Sequence, residues 1–94
     1  MSQENTQRRT SWDKSTETKF LKILEQIPDL IRGIAETRVC KCAEKIVRDA
    51  NRTEITEKDM VDAFFKETPF GFHGPMKTDM QAVGVDYVKY GYPK

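Results

Sequence analysis

The sequence predicts an all-α fold: a small three-helix domain with a long central helix, followed by a short C-terminal helix and an aromatic tail. Apolar residues recur at steps of three and four along three segments of the 94-residue chain, as on the buried faces of helices. Residues typical of helix termini separate these segments. A chain of this length forms about one domain. We expect a disordered lead-in over residues 1–11 and a single domain over 12–94, with the helices in 12–67 and the tail in 68–94.

The first helix is predicted from about Asp13 or Ser15 to Gln26. Five large apolar residues give it one continuous face. They are Phe20, Leu21, Ile23, Leu24 and Ile27. Pro28 then interrupts the pattern, and it suits the first turn of a second helix because its missing N–H is not needed there.

The second helix is predicted from Pro28 to about Ala50, with Asn51 as its C-terminal cap. Gly33 lies inside this helix and costs about 1 kcal/mol relative to alanine, so we expect a close helix crossing at this position. The first and third helices are expected to pack on one apolar stripe. The stripe consists of Ile31, Ala35, Val39, Cys42, Ala43, Ile46 and Ala50.

The third helix is predicted from Thr56 to about Glu67. Thr56 is a typical N-cap, and Asp59 follows three residues later. The tail over residues 68–94 holds five of the nine aromatic residues of the chain. We therefore expect the tail to pack on the helices or on another molecule, with one short helix inside it that begins at Pro75 or Thr78 and ends at about Val83 or Val88.

Composition and charge exclude several classes of protein. The net charge of +1 opposes a dedicated nucleic-acid binder. No apolar run reaches the roughly 18 residues of a membrane span, and no apolar signal segment follows Met1, so a cytoplasmic location is expected. Two cysteines and one histidine are too few for a self-contained metal site, which needs about four ligands. No glycine-rich phosphate loop or nucleophile motif occurs, so we expect no catalytic residue, metal or cofactor.

Several short segments occur in the same order as in a known protein family. Trp12 precedes the first helix, Ile27-Pro28 and Ile31-Arg32 follow it, and Ile55-Thr56 opens the third helix. Over residues 12–66 the chain resembles the small C-terminal helical domain that light-independent protochlorophyllide reductase carries on one of its subunits. The resemblance implies a non-catalytic accessory module. Such a module would dock on a redox enzyme, a nitrogenase-like reductase, or assist in binding a tetrapyrrole-type ligand.

Arg32 is the main candidate for a binding residue. It projects toward the centre of the apolar stripe, where a guanidinium needs a partner because an unpaired buried charge is costly. It either pairs with Glu36 one turn later or donates to a carboxylate of a ligand or partner protein. The aromatic tail is expected to cover this site. The candidate residues for ligand or partner binding are Pro28, Arg32, Glu36, Trp12 and His73.

Four other side chains each have a structural and a functional interpretation. Trp12 either packs on the start of the first helix or serves as a recognition aromatic. His73 is either a structural loop residue or a single axial ligand of a cofactor. Cys40 and Cys42 point in different directions from a helix, so they cannot chelate one ion. Cys42 is expected to face the core, and Cys40 to be an exposed thiol or a redox or dimer-bridging residue.

Two alternative functions remain open from the sequence. The order of short helix, long helix, brief link and short helix is also that of a histone fold, and a basic stripe follows the second helix. The alternative is then a histone-fold-like homodimer that binds nucleic acid through phosphate contacts. The stripe consists of Arg38, Lys41, Lys45, Arg48 and Arg52. A small cofactor-binding redox subunit that uses His73 or Cys40 is the other alternative.

Overall fold

The computed structural model describes residues 10–94, and it confirms the all-α fold with a long central helix. Residues 1–9 of the expected lead-in lie outside the described residues. Two short 3-10 turns, Phe70–Phe72 and Tyr87–Tyr90, belong to the tail. The main elements, in chain order, are β1 Ser11–Trp12, α1 Lys14–Gln26, α2 Asp29–Asp49, β2 Glu54–Ile55, α3 Glu57–Glu67 and α4 His73–Ala82.

The described chain begins with a small parallel β-bridge between β1 and β2. Ser11 pairs with Glu54 and Trp12 with Ile55, so the expected lead-in is already ordered at Ser11. The amide of Asp13 donates to the carbonyl of Ile55 at 3.0 Å. The bridge ties the start of α1 to the link between α2 and α3. Two-residue strands show no alternating pattern, so the sequence contains no signal for them.

The C-terminus of α2 ends as the sequence predicts, with Asn51 in the left-handed conformation at φ 59°. The amide of Asn51 donates to the carbonyl of Arg48, and the amide of Arg52 donates to that of Val47, both at 2.9 Å. These two bonds form a Schellman motif, which satisfies carbonyls that the helix end leaves without partners.

Substituting Asn51 tests this helix end directly. We expect Asn51→Val to lower the free energy of unfolding by about 1–2 kcal/mol, because a β-branched residue resists the left-handed conformation. Asn51→Gly also removes the side chain but tolerates the conformation, and we expect it to be neutral or stabilising. Urea unfolding followed by circular dichroism measures both variants. Equal losses in the two would contradict a conformational origin.

The core lies between α1, α3, α4 and only the second half of α2. From α2 the structure buries Val39, Ala43 and Val47. The predicted stripe is therefore wrong at its two ends, since Ile31 is half exposed and Ala50 lies on the surface. The reason is length: α2 has 21 residues and α3 has 11. At 1.5 Å per residue, a helix of about 16 Å cannot cover one of about 31 Å.

The aromatic tail packs on the body of the domain, mainly on α3. The Tyr92 ring stacks on Phe65 at 3.9 Å between centroids, and Tyr87 contacts the same ring at 5.8 Å. The hydroxyl of Tyr92 donates to the carboxylate of Asp62. The tail helix α4 begins at His73, earlier than the start at Pro75 or Thr78 that the sequence predicts.

Candidate docking surface

Arg32 closes the corner between α1 and α2. Its Nε donates to the carbonyl of Leu24 and its Nη2 to the carbonyl of Ile27, each at 2.8 Å. Its Nη1 lies 2.7 Å from the carboxylate of Asp29. The predicted pairing with Glu36 is wrong, because Asp29 is nearer and the carbonyls at the end of α1 need donors. The guanidinium thus acts as the C-terminal cap of α1.

Trp12 and Pro28 both have structural roles at the ends of α1. The Trp12 ring stacks on Phe20, with centroids 4.6 Å apart and planes inclined by 17°. The structural interpretation of Trp12, packing on the first helix, is therefore confirmed. Pro28 is the N-cap of α2 and lies on the surface, as does Glu36. No described aromatic contact joins the tail to this corner: Tyr87 and Tyr92 contact Phe65, whereas Phe70 and Phe72 are exposed.

His73 links the end of α3 to the start of α4. Its Nε2 lies 2.9 Å from the carbonyl oxygen of Thr68, and since a carbonyl only accepts, this nitrogen carries the proton. Its ring is nearly perpendicular to that of Phe65, with the ring centroids 5.1 Å apart. These contacts fit a structural histidine. Coordination of a cofactor through Nε2 would require this hydrogen bond to break.

The two cysteines are partly buried and poorly suited to act as nucleophiles. Burial raises the pKa of Cys40 to about 11, and the nearby carboxylates of Glu36 and Glu44 add to the effect. Burial also raises the pKa of Cys42, with Glu67 contributing. The thiolate is the reactive form, so both thiols are held in the unreactive state near neutral pH. The expected exposure of Cys40 is only partial.

The cations of the basic stripe along α2 differ in whether they form ion pairs. Arg38 and Lys41 have no carboxylate within 4.0 Å among residues 10–94. An open groove lies between α2 and the end of α3. Its charged lining consists of Arg38, Lys41, Lys45, Asp49, Lys66 and Glu67. Two other cations of the stripe pair within the helix, as Lys45–Asp49 at 2.9 Å and Arg48–Glu44 at 3.9 Å.

Arg52 does not belong to the basic stripe, because its guanidinium is engaged by α3. Its two terminal nitrogens donate to the two oxygens of Asp59 at 3.0 and 2.8 Å. Asp59 is only 3% exposed and also accepts from the amide and the hydroxyl of Thr56. The pair therefore holds the link between α2 and α3. Arg52 has a structural role that its place at the end of the stripe does not indicate.

The surface that the sequence analysis missed is apolar and lies on the first half of α2. Leu30 is 91% exposed and Ile34 is 57% exposed, beside the half-exposed Ile31. Leu21, on α1, is also exposed. At 100° per residue, Leu30 and Ile34 lie on the side of Arg38, opposite the buried Ala43. This projection of Leu30 and Ile34 away from the core is the sequence signal that could have identified the exposed apolar face.

Comparison with protein-family models, with curated proteins and with solved structures found no match. No helix within residues 10–94 is long and apolar enough to cross a membrane. The described part of the chain also contains no cluster of three or more histidine, cysteine or acidic side chains arranged to hold a metal.

Proposed function

We propose that the chain is a non-catalytic helical docking module of the kind found as the small C-terminal domain in light-independent protochlorophyllide reductase. Its partner would be a protein, the catalytic component of a nitrogenase-like reductase. One observation carries the proposal: the uncovered apolar surface on α2, formed by Leu30, Ile31 and Ile34. A contiguous exposed apolar surface on a small domain is typical of a protein interaction site.

The residues that carry the family resemblance support a scaffold role. Trp12 and Ile55 face each other in the β-bridge, and Arg32 caps α1 at Ile27. Thr56 forms the N-terminal capping box of α3. These residues stabilise the corner between α1 and α2 and the link between α2 and α3, and they thereby fix the position of α2. The resemblance therefore favours an accessory module over a reaction centre.

A protein partner is favoured over a tetrapyrrole as the occupant. The three guanidinium nitrogens of Arg32 already bind Leu24, Ile27 and Asp29, which leaves little for a propionate. The depressions between α2 and α3 are open rather than enclosed. Small-molecule sites are usually deep and bury most of their ligand.

The docking proposal predicts a large effect from charges placed on the apolar surface. We expect the double variant Leu30→Glu, Ile34→Glu to bind the purified catalytic component of a nitrogenase-like reductase at least about tenfold more weakly than the unaltered chain. Burial of one such side chain contributes about 1.5–3 kcal/mol, and about 1.4 kcal/mol is a factor of ten. Titration calorimetry measures the affinity, with circular dichroism to confirm folding.

The matched control is Val88→Glu, which alters an exposed apolar residue in the tail. It should leave the affinity unchanged. Equal binding by the double variant, or an equal loss in the control, would contradict docking through α2. Saturable binding of a porphyrin that disappears in Arg32→Lys would favour the tetrapyrrole interpretation instead.

The nucleic-acid alternative rests on the groove beside Arg38, Lys41 and Lys66. Its cations are opposed by Asp49 and Glu67 in the same groove, which weakens the field that a phosphate backbone requires. Binding to duplex DNA that falls steeply with salt, and that Lys41→Glu with Arg48→Glu abolishes, would favour the histone-fold-like function.

A further inference from the structure

We propose that the exposed side of α2 binds an acidic amphipathic segment of the partner protein, with apolar side chains at one end of that segment and carboxylates at the other. This inference rests on the proposed docking function and deepens it, because it names the chemistry of the partner. The order of side chains along α2 carries it: apolar residues come first, cations follow, and both lie on one side of the helix.

The apolar and basic residues of α2 share one exposed face. At about 100° per residue, six exposed side chains fall within an arc of about 80°. They are Leu30, Ile34, Arg38, Lys41, Lys45 and Arg48. The buried residues of α2, Val39, Ala43 and Val47, are centred on the opposite side of the helix. The face is therefore turned away from the core along its whole length of about 27 Å.

The first half of this face is apolar and uncovered. Leu30 is 91% exposed and Ile34 is 57% exposed. Gly33 lies beside them, and a Cβ atom added to it would meet nothing within 4 Å. The close helix crossing that the sequence predicts at Gly33 is therefore not made by residues 10–94. Apolar side chains of a partner would remove this surface from water.

The second half of the face is basic and borders the groove beside α3. Arg38 and Lys41 line this groove together with Lys66 of α3, and none of the three has a carboxylate within 4.0 Å in the described range. Of the two carboxylates that line the groove, one is bound by Lys45, so only Glu67 remains to balance the three cations. The excess of positive charge is complementary to the carboxylates of a partner.

An acidic protein segment fits both halves of the face, whereas a nucleic acid fits only one. A phosphate backbone could contact Arg38 and Lys41, but it offers no apolar side chains to Leu30 and Ile34. An amphipathic helix laid along α2 would place apolar residues on one half and carboxylates on the other. Charge complementarity also sets the direction of the segment, because its acidic end must meet the C-terminal half of α2.

Reversing two cations tests the basic half without altering the apolar half. We expect Arg38→Glu, Lys41→Glu to bind the purified catalytic component of a nitrogenase-like reductase at least about tenfold more weakly than the unaltered chain, because two attractions become repulsions. Salt at about 0.5 M should remove most of this difference. Titration calorimetry measures the affinity, with circular dichroism to confirm folding.

The matched control is Lys14→Glu, Lys89→Glu, which changes the net charge equally at two exposed lysines outside α2. It should retain the affinity of the unaltered chain. An unchanged affinity of Arg38→Glu, Lys41→Glu, or an equal loss in the control, would overturn the proposal.

A designed peptide tests the acidic segment separately from the reductase. The probe is a labelled helical peptide of about 18 residues, the length of the face, with leucines on the first half of one side and glutamates on the second. We expect it to bind at least about fivefold more tightly than the same peptide with glutamine in place of glutamate, as measured by fluorescence anisotropy. Arg38→Glu, Lys41→Glu should remove this preference. Equal binding of the two peptides, absence of saturable binding, or tighter binding of duplex DNA than of the acidic peptide would overturn the proposal.

The two experiments separate this inference from the proposed function. A reductase that loses affinity for Leu30→Glu, Ile34→Glu but not for Arg38→Glu, Lys41→Glu would overturn the acidic segment alone. Binding of the acidic peptide without binding of the reductase would overturn the reductase as partner and would support the chemistry given to the face.

Discussion

Replacing Asp59 by alanine is expected to lower the free energy of unfolding by about 2–3 kcal/mol, because the change removes a buried carboxylate that binds the half-exposed Arg52 and also caps a helix. Asp59 accepts two hydrogen bonds from Arg52 and two from Thr56. Its removal leaves the guanidinium without a carboxylate and the amide of Thr56 without an acceptor. Urea unfolding followed by circular dichroism and by the fluorescence of Trp12, the single tryptophan, measures the loss.

Asp86→Asn is the control for this substitution. Asp86 is exposed and makes no capping hydrogen bond with its side chain, so its change should stay within about 0.5 kcal/mol. A loss in Asp59→Ala no larger than in this control would contradict the role given to the pair. Thr56→Ala should cause a smaller loss, because the ion pair with Arg52 survives it.

The same carboxylate makes the fold sensitive to acid. Burial raises the pKa of Asp59, but the hydrogen bonds from Arg52 and Thr56 outweigh burial, and the pKa lies below its usual value. A carboxyl whose pKa is lower in the folded chain stabilises the fold fully above its unfolded pKa of about 4, and this stabilisation is lost as the pH falls further. The stability of Asp59→Ala should therefore depend less on pH below about 4 than that of the unaltered chain.

Replacing Arg32 by alanine is expected to lower the free energy of unfolding by about 2 kcal/mol, because two charge-assisted hydrogen bonds to carbonyls are lost. These carbonyls, of Leu24 and Ile27, end α1. We expect Arg32→Lys to recover only part of the loss, because an ammonium group does not reproduce the fork of a guanidinium. Thermal unfolding of the unaltered chain, Arg32→Ala and Arg32→Lys measures the order of their stabilities.

Arg38→Ala is the matched control for Arg32, since both are arginines of α2 and Arg38 has no carboxylate within 4.0 Å inside residues 10–94. It should leave stability nearly unchanged. The opposite pattern, with an unchanged stability of Arg32→Ala and a lost affinity for a carboxylate ligand, would restore Arg32 as a binding residue.

Local features of this chain could be predicted because they depend on residues a few positions apart. Thr56 and Asp59 form the capping box that their spacing predicts, and Asn51 ends α2 in the left-handed conformation. The periodicity of apolar residues also predicted the three main helices within one or two residues of their ends. Each of these signals depends on residues that lie within one or two helical turns of one another.

The candidate site was predicted less well, because its residues act across elements. The helical projection placed Arg32 on the apolar face, but only the corner geometry shows that its donors meet the carbonyls of Leu24 and Ile27. Arg38, Lys41 and Lys45 of the basic stripe line one groove, but Arg52 lies beyond the end of α2 and is held by Asp59. The acid with which a cation pairs depends on distances between elements, and these cannot be derived from the spacing of residues along one helix.

The helices and their caps follow from the order of residues alone, since they depend on periodicity and on the chemistry of helix ends. Burial along α2, in contrast, depends on the packing of the whole domain. Val47 enters the core and Ile31 stays exposed, although both are apolar residues of the same helix. The apolar positions of a helix can be identified from its sequence along its whole length. Their burial depends on how far the neighbouring helices extend. Because α3 is about half as long as α2, the first turns of α2 remain uncovered, and there the chain presents its apolar surface.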